Sequence, residues 1–231
     1  MNRIPEPELM VGAEQVFAYA HADFTETDQS VVDHLSALLH SAHVELLSGD
    51  LILDLGCGPG NISERLADRW SSANVVGVDG AAAMISIANE RLQAARSSIH
   101  NLRYVISDLN HVSLSDLNLI KRASVVVSNS LLHHLHDPHQ LWAAVKQLAA
   151  PDALMLHRDL RRPSNEQEVD ELCDRYVHNA PPVLQRDFRA SLIAAFSADE
   201  ICEQLDQAGL GQLTVREIGD RYLEIYGQWS S

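Results

Sequence analysis

The period of the apolar positions changes repeatedly along this chain, and each change marks an element. Leu51-Ile-Leu-Asp-Leu55 reads as a short buried strand; Gly56, Gly58 and Gly60 then crowd one turn, and the period becomes helical at Ile62 and Leu66. Ala73 to Val78 repeats the strand signal and ends in Asp79, and Tyr104 to Ser107 repeats it and ends in Asp108. Ala123 to Ser128 is a fourth strand, followed by a helix from about Gln140 to Ala149, a turn at Pro151-Asp-Ala153 and a fifth strand, Leu154 to His157. Strands that alternate with helices in this way predict a parallel, doubly wound α/β sheet covered on both faces.

The flanking segments follow other patterns. Glu14 to Tyr19 and Asp28 to Leu47 carry helical spacing, through Val31, Val32, Leu35, Leu38 and Leu39, and the break between them offers Thr25 and Asp28 as helix caps. After the fifth strand the pattern predicts helices over Asn165 to His178, Leu184 to Phe196, and Ser197 or Asp199 to Ala208, the last stopped at Gly209. Leu213 to Ile218 and Tyr222 to Tyr226 alternate as two closing strands joined at Gly219-Asp220.

The chemistry is concentrated in the glycine turn. Each glycine removes a side chain where a ligand can approach backbone, and the helix that follows offers unpaired N–H groups. The spacing is G-x-G-x-G, with Asn61 where the dinucleotide pattern G-x-G-x-x-G wants glycine. An acid about twenty residues on, here Asp79, suits a ribose diol. Asp54-Leu-Gly-Cys-Gly-Pro-Gly60 together with Asp79 resembles the first motifs of the class I S-adenosylmethionine-dependent methyltransferases.

That resemblance implies a seven-stranded, mostly parallel sheet whose last hairpin supplies the one antiparallel strand. It implies that Gly56, Gly58 and Gly60 face the methionine part of the cofactor, that Asp54 lies beneath its ammonium, and that Asp79 holds its ribose. Asp79-Gly-Ala-Ala-Ala-Met84 resembles the family's D-x-S-x-x-M segment with Ala81 in place of serine, which puts Met84 against the adenine and Asp108 on its amino group. Cys57, Gly80 and Leu109 join this cofactor set, Cys57 as packing, and Asn129 and Ser130 line the place of methyl transfer. The outline covers residues 45 to 228, while the specific motifs occupy Leu51 to Pro138. Residues 1–47 are expected to form a helical lid on a methyltransferase domain of residues 48–231, with 158–196 inserted as a substrate cap. Tyr19, His21 and Phe24 are the lid residues expected near the substrate.

His133-His-Leu-His-Asp-Pro-His139 offers His134 as a candidate general base and His133 as the second. As a metal site the same run lacks an H-x-x-x-H pair or a cysteine partner, so no metal is expected. Six of the seventeen basic residues are arginines between Arg158 and Arg189; Arg158 follows the fifth strand and is expected to orient an anionic part of the acceptor.

Composition narrows the classes further. No run approaches the ~20 apolar residues of a membrane span, the first residues lack a signal-peptide core, and a cytoplasmic protein with no membrane partner is expected. Three widely spaced cysteines form no C-x-x-C pair. A net charge of -15 argues against non-specific nucleic-acid binding without excluding a tRNA held by a local patch. The oligomeric state stays open, a homodimer among the options. The expected activity is methyl transfer from S-adenosylmethionine to a small molecule. Two alternatives stand beside it: a carboxymethyl-donor synthase acting in tRNA modification, and a non-catalytic cofactor-binding protein.

Overall fold

A computed structural model of the chain describes residues 1–7, 9–10, 12–95, 98–107, 109 and 119–229. Strands β1 (Leu51–Leu55), β2 (Asn74–Asp79), β3 (Leu102–Ile106), β4 (Ala123–Asn129), β5 (Ala149–Leu160), β6 (Thr214–Ile218) and β7 (Tyr222–Gln228) make one seven-stranded sheet, in the order β3-β2-β1-β4-β5-β7-β6. The first five run parallel, and β7 is antiparallel to both β5 and β6. The expected α/β, doubly wound fold is therefore the observed one.

Alternation explains how one sheet carries two cores. Ile52 of β1, Val125 and Val127 of β4, and Leu154 and Leu156 of β5 face one side, where they pack on Val31 and Leu35 of α2 (Thr25–Ser41) and Ile62 and Leu66 of α3 (Asn61–Arg69). Leu53, Val126 and Met155 face the other, against Leu141, Trp142 and Val145 of α5 (His139–Leu148) and Ile201 and Leu205 of α8 (Ala198–Ala208). Strands covered on both faces must be apolar at successive positions, which is how β1 and β4 read. Truncating a buried leucine such as Leu66 to alanine costs about 2–5 kcal/mol by lost transfer energy and cavity. Trp142 is fully buried and keeps its indole N–H satisfied by donating to Gln204 Oε1 at 3.1 Å.

The ends of the helices follow their sequences with some corrections. Ser197 and Glu200 form a reciprocal capping box at the start of α8, and Gly209 ends it at φ +70. Neither Thr25 nor Asp28 caps α2: Asp23 Oδ1 accepts the Thr25 N–H at 2.9 Å, and Asp28 is buried in the first turn. That helix also stops at Ser41, because His43 takes φ +55 and turns the chain. Val44 and Leu46 still pack into the core, which carries the helical spacing of apolar positions past the end of the helix. Strand β5 begins at Ala149, with the Pro151-Asp152 turn absorbed as an irregularity in its pairing with β4.

Two layers lie over the carboxyl edge of the sheet. One is α6 (Glu166–Val177) with α7 (Pro182–Ala194), which share a small core of Leu160, Val169, Leu172, Leu192 and Ala195. The other is the N-terminal segment with α1 (Ala13–His21), whose Val16 packs on Met84 of α4 (Ala82–Ala94). Arg3 fastens this segment by donating to the carbonyls of Ala194, His133 and Leu135 while lying over the Phe196 ring. Among the described residues no helix is long and apolar enough to cross a membrane.

Candidate active site

The carboxyl ends of β1, β2 and β4 converge on a narrow cleft, where ligands of open parallel sheets bind. Gly56, Gly58, Asp79, Gly80, Met84, Ser107, Leu109, Asn129 and Ser130 line it. Gly56 and Gly58 have φ of +69 and +53 and Gly60 has +88, backbone conformations that side chains resist. A side chain at Gly60 would also run into the Tyr104 ring. Asp79 closes the turn: one carboxylate oxygen accepts the Gly58 N–H and the other the Ala81 N–H, each at 2.8 Å. A carboxylate held by two backbone donors is fixed in orientation and keeps lone pairs for a vicinal diol.

Asp54 lies deeper. It is 1% exposed, accepts the Ser63 hydroxyl at 2.6 Å, and burial pushes its carboxyl up to about 7. Its wall of the cleft is shared by Gly56, Cys57, Gly58, Asp28 and Asn129. A nearby ammonium would favour the charged form that burial disfavours. Burial raises the Cys57 thiol well above its ordinary value, so it stays protonated and acts as packing. Asn61, at the position that departs from the dinucleotide pattern, bridges Arg91 and Asp28. Asp108 lies outside the described residues.

A second, larger chamber of about 680 Å³ opens from the same edge. Tyr19 and Asn129 line both cavities, and Phe24 packs on Tyr19 with ring centroids 5.0 Å apart. Phe17, Leu160, Tyr176, Phe188 and Tyr222 supply the apolar wall. His21 also reaches it, its ring stacked on Phe17. Ser130 stands where the two cavities meet, at φ +55, a strained conformation for a non-glycine residue and one typical of functional positions.

The two histidines are shifted in opposite directions. Asp159, at the end of β5, accepts from His133 Nδ1 at 2.5 Å and from the Leu132 N–H at 2.6 Å. Burial pulls the His133 imidazole down, but Asp159 and then Glu6 more than offset this and hold its pKa above the ordinary value. His134 goes the other way, to about 3, through burial and its charged neighbour. His134 binds a proton too weakly to serve as a base near neutral pH, whereas His133 has its proton affinity raised and its Nδ1 committed to Asp159. Glu6, His133 and His134 bring ligand atoms within 4.8 Å of one another, although the chain pattern gave no metal spacing. The raised proton affinity of His133 works against an ion there, because a metal competes with the proton for a ring lone pair.

Arg158 requires a correction. Its guanidinium pairs with Glu224, donates to the Ser30 hydroxyl and the Thr27 carbonyl, and lines neither cavity. Glu224 is fully buried; burial works to raise its carboxyl, and Arg158 with His34 more than compensates, holding it below the ordinary range. Arg158 is therefore the counter-ion of a buried acid, and its donors are spent inside the protein.

Four residues escaped the sequence reading: Glu6, Asp28, Asp159 and Asp187. Asp159 carried no readable signal, because His157, Arg158, Arg161 and Arg162 surround it with polar residues and only the structure shows that its end of β5 is buried. Asp187 carried one, an acid between Val183, Leu184 and Phe188 on one helical face. Glu6 carried none, because only the fold brings the N-terminal segment to β5.

Comparison with known proteins places this geometry. A family model described as a methyltransferase domain matches residues 28–215. Trans-aconitate 2-methyltransferase of Variovorax paradoxus is 32% identical over 141 residues, covering 61% of this chain and 49% of that protein. The Escherichia coli protein of the same name is 27% identical over 137 residues, covering 57% and 50%. The chain thus spans about half the length of the curated relatives it matches. Among solved structures, an S-adenosylmethionine-dependent methyltransferase from Aquifex aeolicus superposes with TM-score 0.66 at 17% identity, over 95% of this chain and 99% of its own. The plantazolicin methyltransferase BpumL, solved with a pentazolic desmethylPZN analog and SAH, superposes with TM-score 0.72 at 13% identity, over 94% and 90%. At such identities these structures establish the shared fold.

Proposed function

The chain belongs to the class I S-adenosylmethionine-dependent methyltransferases, and from that membership we propose that it transfers a methyl group to a small molecule held in the larger chamber. The observation that carries this reading is the continuity of the two cavities through Tyr19, Asn129 and Ser130. When bound, the cofactor supplies a sulfonium methyl that a nucleophile's lone pair can displace in line, the S–C electron pair returning to sulfur.

The residues present suit that cofactor. Gly56 and Gly58 line the cleft with bare backbone, while Gly60 leaves room for the Tyr104 ring; Asp79 offers oriented acceptors to a diol, and Asp54 a buried carboxylate to an ammonium. Met84, Gly80 and Leu109 form an apolar rim for the base, and Cys57 fills the turn behind it. On the other side Tyr19 and Phe24 cover the acceptor, while Asn129 and Ser130 mark the boundary across which the methyl passes. Displacement at an activated methyl depends mainly on alignment and exclusion of water, so the chain's contribution is positioning. No proton transfer is assigned to His133 or His134.

Calorimetric titration with SAH tests the cofactor side, with stoichiometric binding expected and absence of binding overturning the proposal. Release of SAH from S-adenosylmethionine across an acceptor panel tests the transfer. The names of the curated relatives put trans-aconitate on that panel.

A further inference from the structure

The charge lining the larger chamber points to the chemical class of its occupant, an inference that rests on the methyl-transfer reading above. Four carboxylates face it, Glu14, Asp23, Asp28 and Asp187, and among the described residues no lysine or arginine lines it. The remaining cationic candidates are histidines: His134 is held neutral, and His133, whose pKa Asp159 and Glu6 raise, already has Asp159 as its counter-ion. A carboxylate entering this chamber would leave its hydration for a wall of like charge.

Asp187 is the most specific of the four. Helix α7 turns Val183, Leu184, Asp187, Phe188 and Ser191 toward the chamber, a single face with one acid among apolar side chains. Arg186 donates to Asp187 Oδ1 at 2.9 Å from the exposed side of the helix. The other oxygen, Oδ2, is buried and has no hydrogen-bond partner. Ser191, one turn on, gives its hydroxyl to Glu6 instead. A buried carboxylate oxygen left unmet is costly, and because Asp187 lines the chamber a small turn of its side chain offers that oxygen to a donor held there.

We propose that the acceptor is an amine with an apolar body: its N–H donates to the Asp187 carboxylate while the body packs against Phe17, Phe24, Leu160, Phe188 and Tyr222. Aromatic faces beside a carboxylate are the usual surroundings of an organic ammonium, since ring and acid both attract the cation. The nitrogen sheds one proton to the Asp187 carboxylate, which frees the lone pair that displaces the sulfonium methyl. The same wall disfavours carboxylate acceptors, trans-aconitate included.

The test uses matched pairs on the full chain saturated with SAH: phenethylamine against phenylpropionate, and cyclohexylmethylamine against cyclohexylacetate. Thermal melting and calorimetry are the readouts. Amines are expected to bind saturably and to raise the melting temperature, with their carboxylate counterparts inert. Asp187→Asn, which keeps the shape, is expected to weaken amine binding about 10- to 100-fold, the loss of one charge-assisted hydrogen bond, with SAH affinity unchanged. Carboxylates binding as well as amines, amines binding Asp187→Asn equally, or a chamber that takes neither set would each overturn the assignment. If SAH itself does not bind, the methyl-transfer reading falls first, so the two failures are distinguishable.

Discussion

The two cavities are built in opposite ways, though they share Tyr19, Asn129 and Ser130. The cofactor cleft comes from the carboxyl ends of adjacent parallel strands, and its parts are backbone turns and the acids that immediately follow strands. The acceptor chamber is assembled from α1, the start of α2, the turn at His133 and His134, the end of β5, the α6–α7 pair and Tyr222. One half is specified by local rules and the other by packing between distant segments. A single surface can thus keep a fixed donor site while loops and helices around it are exchanged.

The sharpest way to break this division is at Arg158, which lies at the sheet edge yet belongs to neither cavity. Removing it leaves Glu224 buried beside weaker partners, and Arg158→Ala is expected to cost about 3–5 kcal/mol in urea unfolding. Glu224→Gln in the same chain should restore much of that loss. A stable Arg158→Ala protein whose only defect is acceptor affinity would return Arg158 to the substrate and blur the boundary.

Next in size is Asp79, on the cofactor side. Asp79→Ala removes the acceptor of the Gly58 and Ala81 N–H groups and both oxygens proposed for the ribose. SAH affinity is expected to fall about 30- to 100-fold, roughly 2–3 kcal/mol, with amine binding to any remaining SAH complex unchanged. Equal losses on both sides would show that the cavities act as one.

Asp54 gives a pH-dependent measure of the same half. Its folded pKa of about 7 lies above that of an unfolded aspartate, so the free protein favours the protonated carboxyl. This contribution to stability is full at low pH and is lost as pH rises toward the folded pKa. An ammonium bound beneath the glycine turn reverses the preference and releases the proton. SAH affinity is therefore expected to climb with pH up to about 7 and to level off above it. Calorimetry near pH 6 in two buffers of different ionisation heat should detect proton release that Asp54→Asn abolishes. Affinity independent of pH with Asp54 intact would remove the ammonium from its side.

What could be read from the sequence follows the same division. Gly56, Gly58, Asp79 and the strand that feeds them form a pattern within about thirty residues, since a turn that bares its backbone must be written in consecutive positions. The strands and the closing hairpin were equally legible, because alternation and turn residues are local, while the seven-stranded sheet they form was implied by the family resemblance. Arg158 was misread because its position on an edge was visible and its partner, Glu224 on β7, was not. His133 and His134 were found as a pair, but the upward shift that sets His133 apart from His134 depends on Asp159 and Glu6, which lie far away in sequence. Burial of Asp28 was hidden for a similar reason: only contact of α2 with the glycine turn makes an exposed-looking acid part of the cleft.

The smallest expected effect falls at the seam. Ser130 holds φ +55 through its N–H, which donates to the Arg158 carbonyl, and its hydroxyl accepts from the Asn129 amide at 3.2 Å. Glycine adopts that conformation without strain, so Ser130→Gly relieves part of a cost of about 1–3 kcal/mol while losing some unfolded-state restraint. A net gain of about 0.5–1 kcal/mol in unfolding free energy is expected. The Asn129 amide, however, loses the group that orients it between the two cavities, so turnover is expected to fall severalfold with SAH affinity nearly constant. Stability and turnover moving in opposite directions would mark Ser130 as strained for function. If both stay at their starting values, the conformation is an incident of the β4 turn, and the boundary between donor and acceptor halves must be sought at Tyr19.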